Sequence, residues 1–177
     1  MGRNPTISRD GLLTIAEGIV NTEGPQALTI DALAKAAGIS KGGVQYSFSS
    51  KDALIKELVD RWTAQFDALV VDIETVGPVE FVRSYIAALR SSRGAIDAKL
   101  AGLLIAYLQN PQNRVETADW YRSILGKMGG SPEARAARTA FLAVEGLFII
   151  RIWGVDDSVE WQSQLDDIEA LLPTDSA

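Results

Sequence analysis

The stretch that decides the fold reads Leu28-Thr29-Ile30-Asp31-Ala32-Leu33-Ala34-Lys35-Ala36-Ala37-Gly38-Ile39-Ser40-Lys41-Gly42-Gly43-Val44-Gln45-Tyr46-Ser47-Phe48-Ser49-Ser50-Lys51. It predicts two short helices meeting at Gly38, a residue that enters the left-handed turn region without steric cost. Ile30, Leu33, Ala34 and Ala37 share the inner face of the first helix, and Ile39, Val44 and Phe48 anchor the second. Small alanines allow the two helices to approach closely. This is the layout of a helix-turn-helix, whose second helix enters the major groove of DNA.

The positions left over point outward. Thr29 stands at a helix N-terminus, where its hydroxyl and the free backbone N–H groups suit a phosphate. Ser40, Lys41, Gly42, Gly43, Gln45 and Tyr46 make the exposed side of the second helix. A glutamine such as Gln45 pairs with adenine N6 and N7, and Lys41 reaches guanine O6/N7 or a phosphate. Tyr46 and Ser47 carry hydroxyls suited to phosphate oxygens, and Lys51 adds a cation beside the same backbone. Two plainer readings stand beside these: Tyr46 packed in the core, and Gln45 simply solvated. Arg3 and Arg9 suit phosphates or a minor groove, or belong to a mobile terminus.

Outward from this segment the chain reads as helical throughout, with no strand alternation, internal repeat or low-complexity tract. Leu12, Leu13, Ala16, Ile19 and Val20 predict a first helix, with Ser8 as N-cap and Gly24 as its stop. A fourth helix starts near Ser49 or Ser50, where Ser49 and Asp52 have capping-box spacing. Its apolar stripe, from Leu54 through Trp62, Phe66, Leu69 and Val70 to Ile73, predicts one long helix that joins head to body. Gly77-Pro78 starts the next helix, and further helices are expected over 94–109, 116–128, from Pro132 to about Trp153, and over 158–172. The expectation is an all-α chain of about nine helices. It has a DNA-binding head over 1–56 and a ligand-binding and dimerisation body over 57–177.

Composition narrows the function. The 177 residues include no cysteine and no histidine, which removes thiol chemistry, the commonest metal ligand and the commonest general acid/base. No nucleophile motif, phosphate-cradling loop or paired metal ligands are visible, so no catalytic residue, metal or cofactor is expected. Met1-Gly2-Arg3-Asn4-Pro5 lacks the order of a signal peptide, and Glu145 and Arg151 interrupt the most apolar run. A cytoplasmic protein with no membrane partner is expected. The net charge of −6 is unevenly spread. Residues 1–62 hold seven basic and seven acidic side chains, leaving ten basic and sixteen acidic ones for 63–177. A neutral head and an acidic body are compatible with DNA binding at one end.

The run from Thr29 through Gly38-Ile39-Ser40-Lys41-Gly42-Gly43-Val44-Gln45-Tyr46-Ser47-Phe48 to Lys51-Asp52-Ala53-Leu54 resembles the TetR family of repressors. The resemblance covers roughly Ser8 to Leu58. It implies a homodimer that binds a palindromic double-stranded DNA operator through N-terminal heads. It also implies a helical body that binds a small-molecule effector, and dimerisation through the last two helices. The sequence departs from the family pattern at Gly43, where Thr or Ala is common, at Gln45, where an aromatic residue is common, and at Ser47, commonly His or a similar donor. Asp31, on the outer side of the first motif helix, could repel phosphate or accept from cytosine N4. The stretch Phe141 to Trp153 and the Leu171-Leu172-Pro173 ending resemble multidrug-responsive members of that family.

In the body, Leu103, Tyr107, Trp120, Tyr121, Met128, Glu145 and Phe148 are the candidate effector contacts, with plain core packing as the alternative for most of them. Glu145 sits on an apolar helix and needs a partner. That partner is an arginine, across the dimer interface for instance, or a cationic ligand assisted by Trp120 or Phe148. Two other functional classes compete with a DNA-binding repressor: a helical adaptor whose head binds protein, and a small enzyme reusing the fold.

Overall fold

A computed structural model describes residues 7–91, 98–152 and 158–174. Arg3, Gly94, Trp153 and Gly154, which enter the sequence expectations, lie outside the described residues. Nine α-helices and one 3-10 turn make up the regular structure among the described residues, with no strand.

Helix α1 (Arg9–Glu23) begins where the Ser8 hydroxyl accepts from Gly11 N–H and ends at Gly24, whose φ is 87°. After a 3-10 turn at Pro25–Ala27, α2 (Ile30–Ala37) is capped by Thr29 and stopped by Gly38 in the left-handed region (φ 66°, ψ 27°). There the Ile39 N–H reaches back to the Ala34 carbonyl at 3.1 Å, so the turn uses carbonyls that the helix end leaves free. Helix α3 (Lys41–Ser47) follows at once, capped by Ser40. Helix α4 (Lys51–Asp67) is capped by Ser50, which accepts from Ala53 N–H, so the cap is the serine next to the expected Ser49–Asp52 pair.

Helix α4 is shorter than its apolar stripe predicts. The Asp72 carboxylate accepts from Glu74 N–H at 3.0 Å and nucleates a new turn. The stripe therefore breaks between Asp67 and Ile73, Leu69 is left exposed, and Ile73 belongs to the following element. That element, α5 (Ile73–Ser91), is one turn and then a long helix, divided at Gly77 (φ 79°) with Pro78 opening the second part.

Helix α6 (Ala98–Tyr107) ends at Tyr107, and a turn over 108–110 leads to Asn110-Pro111. The same pair also opens α7 (Pro111–Lys127): the Asn110 side chain accepts from Gln112 N–H, and Pro111 takes a first-turn position where its missing N–H is not needed. This helix therefore starts five residues before the predicted Glu116. The buried Asn113 amide donates to the Tyr107 carbonyl at 2.9 Å, and Arg114 donates to the Leu108 and Gln109 carbonyls, so the end of α6 is satisfied by α7. Helices α8 (Pro132–Ile152) and α9 (Ser158–Glu169) complete the body.

Two cores result. The head core joins Leu12, Ala16 and Val20 of α1 with Leu33, Val44, Phe48, Leu54 and Leu58. The body core joins Phe81, Val82, Tyr85 and Ile86 of α5 with Phe141 and Val144 of α8 and Trp161 and Leu165 of α9. Helix α4 links them, since Leu54, Ile55, Leu58 and Val59 lie in the first and Phe66 packs on the second. Helix α6 is a second link that the sequence pattern did not reveal. Its Leu103 and Tyr107 are buried against the head core, while α6 also packs on α8.

Ionic contacts fasten α1 to α4. Arg9 donates to Glu57 through Nε at 2.7 Å and through Nη2, and its guanidinium lies 5.0 Å from the Phe48 ring centre. That hydrogen bond to Glu57 raises the Arg9 pKa further. Arg9 is thus committed within the head, where the sequence left it free for DNA or a mobile terminus. Arg61 likewise contacts Asp10 at 3.2 Å and Glu17 at 3.4 Å.

Candidate nucleic-acid interface and effector cavity

The head presents α3 with its apolar side fully packed and its polar side in solvent. Val44 and Phe48 are buried completely, while Ser40, Lys41, Gly42 and Gln45 are exposed and Gly43 and Ser47 are half-buried. Tyr46 is 95% exposed, which decides between its two readings: it is not a core residue. A large aromatic side chain standing alone in water at the end of a short helix is a feature that asks for a partner.

The caps leave donors available. The Thr29 oxygen accepts from Ala32 N–H at 3.0 Å, so its hydroxyl proton remains free to donate outward. Ser40 accepts from Gly43 N–H at 3.1 Å in the same manner. The Lys41 ammonium lies 3.1 Å from Asp31, an exposed pair that bridges the outer faces of α2 and α3. Asp31 therefore neutralises the cation expected to meet DNA. Lys51, half-buried in the first turn of α4, lies just beyond α3 in the chain.

The body contains a cavity of about 490 Å³, within the usual range for small-molecule sites. Helix α4 supplies one wall with Val59, Trp62, Thr63 and Phe66. Tyr85 and Leu89 of α5, Leu104 and Tyr107 of α6, Trp120 and Tyr121 of α7, and Glu145 and Phe148 of α8 supply the rest. Of the predicted effector contacts, Tyr107, Trp120, Tyr121, Glu145 and Phe148 are brought together here. Leu103 and Met128 are not among the walls: Leu103 packs in the head core and Met128 in the body core.

Glu145 finds partners of a kind the sequence did not suggest. The hydroxyls of Tyr85, at 2.6 Å, and of Tyr121 both donate to its carboxylate, one to each oxygen. No arginine contacts it among the described residues. Burial of the two phenols and then the negative charge of Glu145 push both tyrosine pKa values well above the usual range, so both remain protonated donors. Tyr85 also meets Phe66 and Phe141 edge-on at 4.9 and 5.2 Å, which fixes the ring that holds the carboxylate.

Sequence reasoning missed Trp62, Phe66 and Asp67 as cavity residues. Their signal was a local one: on the α4 stripe, polar Asp60, Thr63 and Asp67 recur beside aromatics, as on a helix that borders a cavity instead of a sealed core.

Comparison with known proteins agrees with this geometry. Residues 12–58 match "Bacterial regulatory proteins, tetR family", and residues 79–173 match "Tetracyclin repressor-like, C-terminal domain". Among solved structures, the fold is similar to BioQ in complex with its natural double-stranded DNA operator. That likeness has a TM-score of 0.57 and 21% identity and covers 92% of this chain and 98% of BioQ. It is also similar to NalD, the secondary repressor of the MexAB-OprM multidrug efflux pump in Pseudomonas aeruginosa. Here the TM-score is 0.55 and the identity 17%, covering 95% of this chain and 96% of NalD. No curated protein matches the sequence. No helix among the described residues is long and apolar enough to cross a membrane. With a helix-turn-helix head and a family match that spans more than half of its length, the chain belongs to the TetR family of DNA-binding transcriptional regulators.

Proposed function

We propose that this regulator is a homodimeric repressor, acting in the cytoplasm, that leaves a palindromic operator when a small molecule occupies the body cavity. The observation that carries the reading is the double role of α4. Leu54, Ile55 and Leu58 hold the helix-turn-helix in place, while Val59 to Asp67 of the same helix form a wall of the cavity. A ligand pressing on that wall acts on the head through a continuous rigid element.

Two heads of a dimer would place their α3 helices in successive major grooves, with half-site centres about 34–36 Å apart or a multiple of it. On that helix Gln45 reads a base edge and Lys41 reaches a phosphate or a guanine edge, with Gly42 and Gly43 permitting close approach of the backbone. Thr29, Ser40, Tyr46, Ser47 and Lys51 hold phosphates and set the register. Effector release needs a ligand that favours the non-binding spacing of the heads by roughly 1–3 kcal/mol.

For dimerisation, α8 turns Leu142, Gly146 and Ile149 outward at helical spacing. Leu142 and Ile149 are 49% and 46% exposed in the single chain. An apolar ridge with a glycine at its centre suits close packing against a second copy. Regulation, and not catalysis, is the role this assigns to the body.

The test is a Lys41→Ala/Gln45→Ala double variant, assayed by fluorescence anisotropy on operator DNA and by circular dichroism. A DNA reader loses operator binding while its helicity and dimer mass persist. Retained operator binding would contradict the reading, and a protein-binding adaptor would show no affinity for DNA even before substitution.

A further inference from the structure

The charge of the cavity identifies its ligand class, on the reading of the cavity as the effector site. Four acidic side chains, Asp60, Asp67, Glu116 and Glu145, line it, and among the described residues no lysine or arginine does. The acids are not equivalent. Lys56 Nζ lies 3.2 Å from Asp60 and 3.3 Å from Glu116, so one ammonium is shared by that pair and offsets one of its two charges. Among the described residues Glu145 has only two neutral phenols as partners, which orient its charge without cancelling it. The Asp67 carboxylate has neither a hydrogen bond nor an ion pair among the described residues, the backbone carbonyl alone accepting from Val70 N–H at 3.1 Å. Partial burial raises its pKa above the ordinary aspartate value, the mark of a carboxylate that has lost hydration and gained no partner.

The rest of the lining is aromatic. Trp62, Phe66, Tyr85, Trp120, Tyr121 and Phe148 surround the space, and Trp120 keeps much of its surface free. Aromatic faces carry negative potential and attract cations, Trp most strongly. The indole N–H of Trp62 is occupied by Glu17 at 2.8 Å, leaving that ring to act through its apolar surface.

We propose that the cavity takes a lipophilic organic cation of aromatic character, its positive centre held by Glu145 and Asp67 and its hydrocarbon surface by the aromatic walls. An organic anion would face the carboxylates of Glu145 and Asp67, with no cation among the described lining residues. A metal ion lacks its ligands, since no group of three or more acidic side chains converges to hold one among the described residues. A small hydrated cation could not use the apolar walls.

Two probes of the same shape and opposite charge, tetraphenylphosphonium and tetraphenylborate, isolate the electrostatic part. Each is titrated into the full-length protein by calorimetry, with tryptophan quenching as a second readout because Trp62 and Trp120 line the space. The expected result is binding of the cation at least about tenfold tighter than of the anion, a difference of ~1.4 kcal/mol. Asp67→Asn should weaken the cation several-fold and narrow the preference. Asp67 stands at the open rim of the cavity, its carboxylate partly shielded but outside both cores, so this variant spares the core, and Glu145→Gln supplies an independent second case. Equal affinities, tighter binding of the anion, no binding of either probe, or a preference unchanged in both variants would overturn the assignment. Operator release is followed separately. A cation that binds without weakening DNA affinity leaves the ligand class standing and removes the regulatory reading. A protein that binds its operator but shows no charge preference does the reverse.

Discussion

The ammonium of Lys41, the first residue of α3, lies 3.1 Å from the carboxylate of Asp31 on α2. Both side chains are largely exposed, so the pair adds little to stability, within the ~0–1 kcal/mol of surface ion pairs. Its consequence falls on DNA binding. Phosphate must compete with Asp31 for the lysine, and Asp31 itself repels the backbone. Asp31→Asn should therefore tighten binding to any duplex. It should also steepen the dependence of log K on log salt by about 0.9, the effect of one more neutralised phosphate. Anisotropy titrations at several salt concentrations measure both quantities, and an unchanged slope would show that Lys41 does not reach phosphate.

Gln45 and Tyr46 are adjacent, exposed and assigned different tasks, which makes them separable. Gln45→Ala should cost roughly 1–3 kcal/mol on the operator and little on random duplex, as expected for a base contact. Tyr46→Phe, which removes only a hydroxyl, should weaken operator and random duplex alike. Parallel titrations of both variants on both duplexes give the comparison.

Two glycines of the motif should respond oppositely to alanine. Gly38 has φ 66°, and a Cβ there meets nothing within 4 Å, so the penalty is purely one of backbone conformation. Gly38→Ala should destabilise the head by about 1–2 kcal/mol. Gly42 lies inside α3 with ordinary helical geometry and only the Ser40 hydroxyl near a new Cβ, at 3.8 Å. Gly42→Ala should stabilise by about 0.5–1 kcal/mol. Urea unfolding of the two variants tests the difference in sign.

Leu142 and Ile149 carry the dimer assignment. A Leu142→Glu/Ile149→Glu variant should run as a folded monomer by light scattering and lose cooperative operator binding. Neither side chain is in the body core, so the melting of an isolated subunit should change little. A variant that remains dimeric would move the interface elsewhere.

What the sequence made legible was whatever is determined locally. Ser8, Thr29, Ser40 and the Gly38 turn fell where expected, because a cap or a left-handed glycine needs only its own neighbours. The Gly77-Pro78 break was equally readable. The end of α4 was not, because apolar residues continue past Asp67 at helical spacing while Asp72 redirects the chain. Asn110-Pro111 carries a stop and a start at once, and only the stop was read. The partners of Glu145 lie 60 and 24 residues away, on two other helices, and no local pattern announces such a meeting. The same holds for the cavity. Its aromatics were visible as a stock of large side chains, but which of them face open space and which fill a core is set by helix packing.

The most direct test of the account is the affinity of the purified protein for the DNA upstream of its own gene. A scrambled duplex of equal length and composition is the control, with salt varied across both. The account predicts clear preference for the upstream duplex, at a stoichiometry of one dimer or a multiple per palindrome, with affinity on both falling as salt rises. Equal binding to the two duplexes at every salt concentration would contradict it.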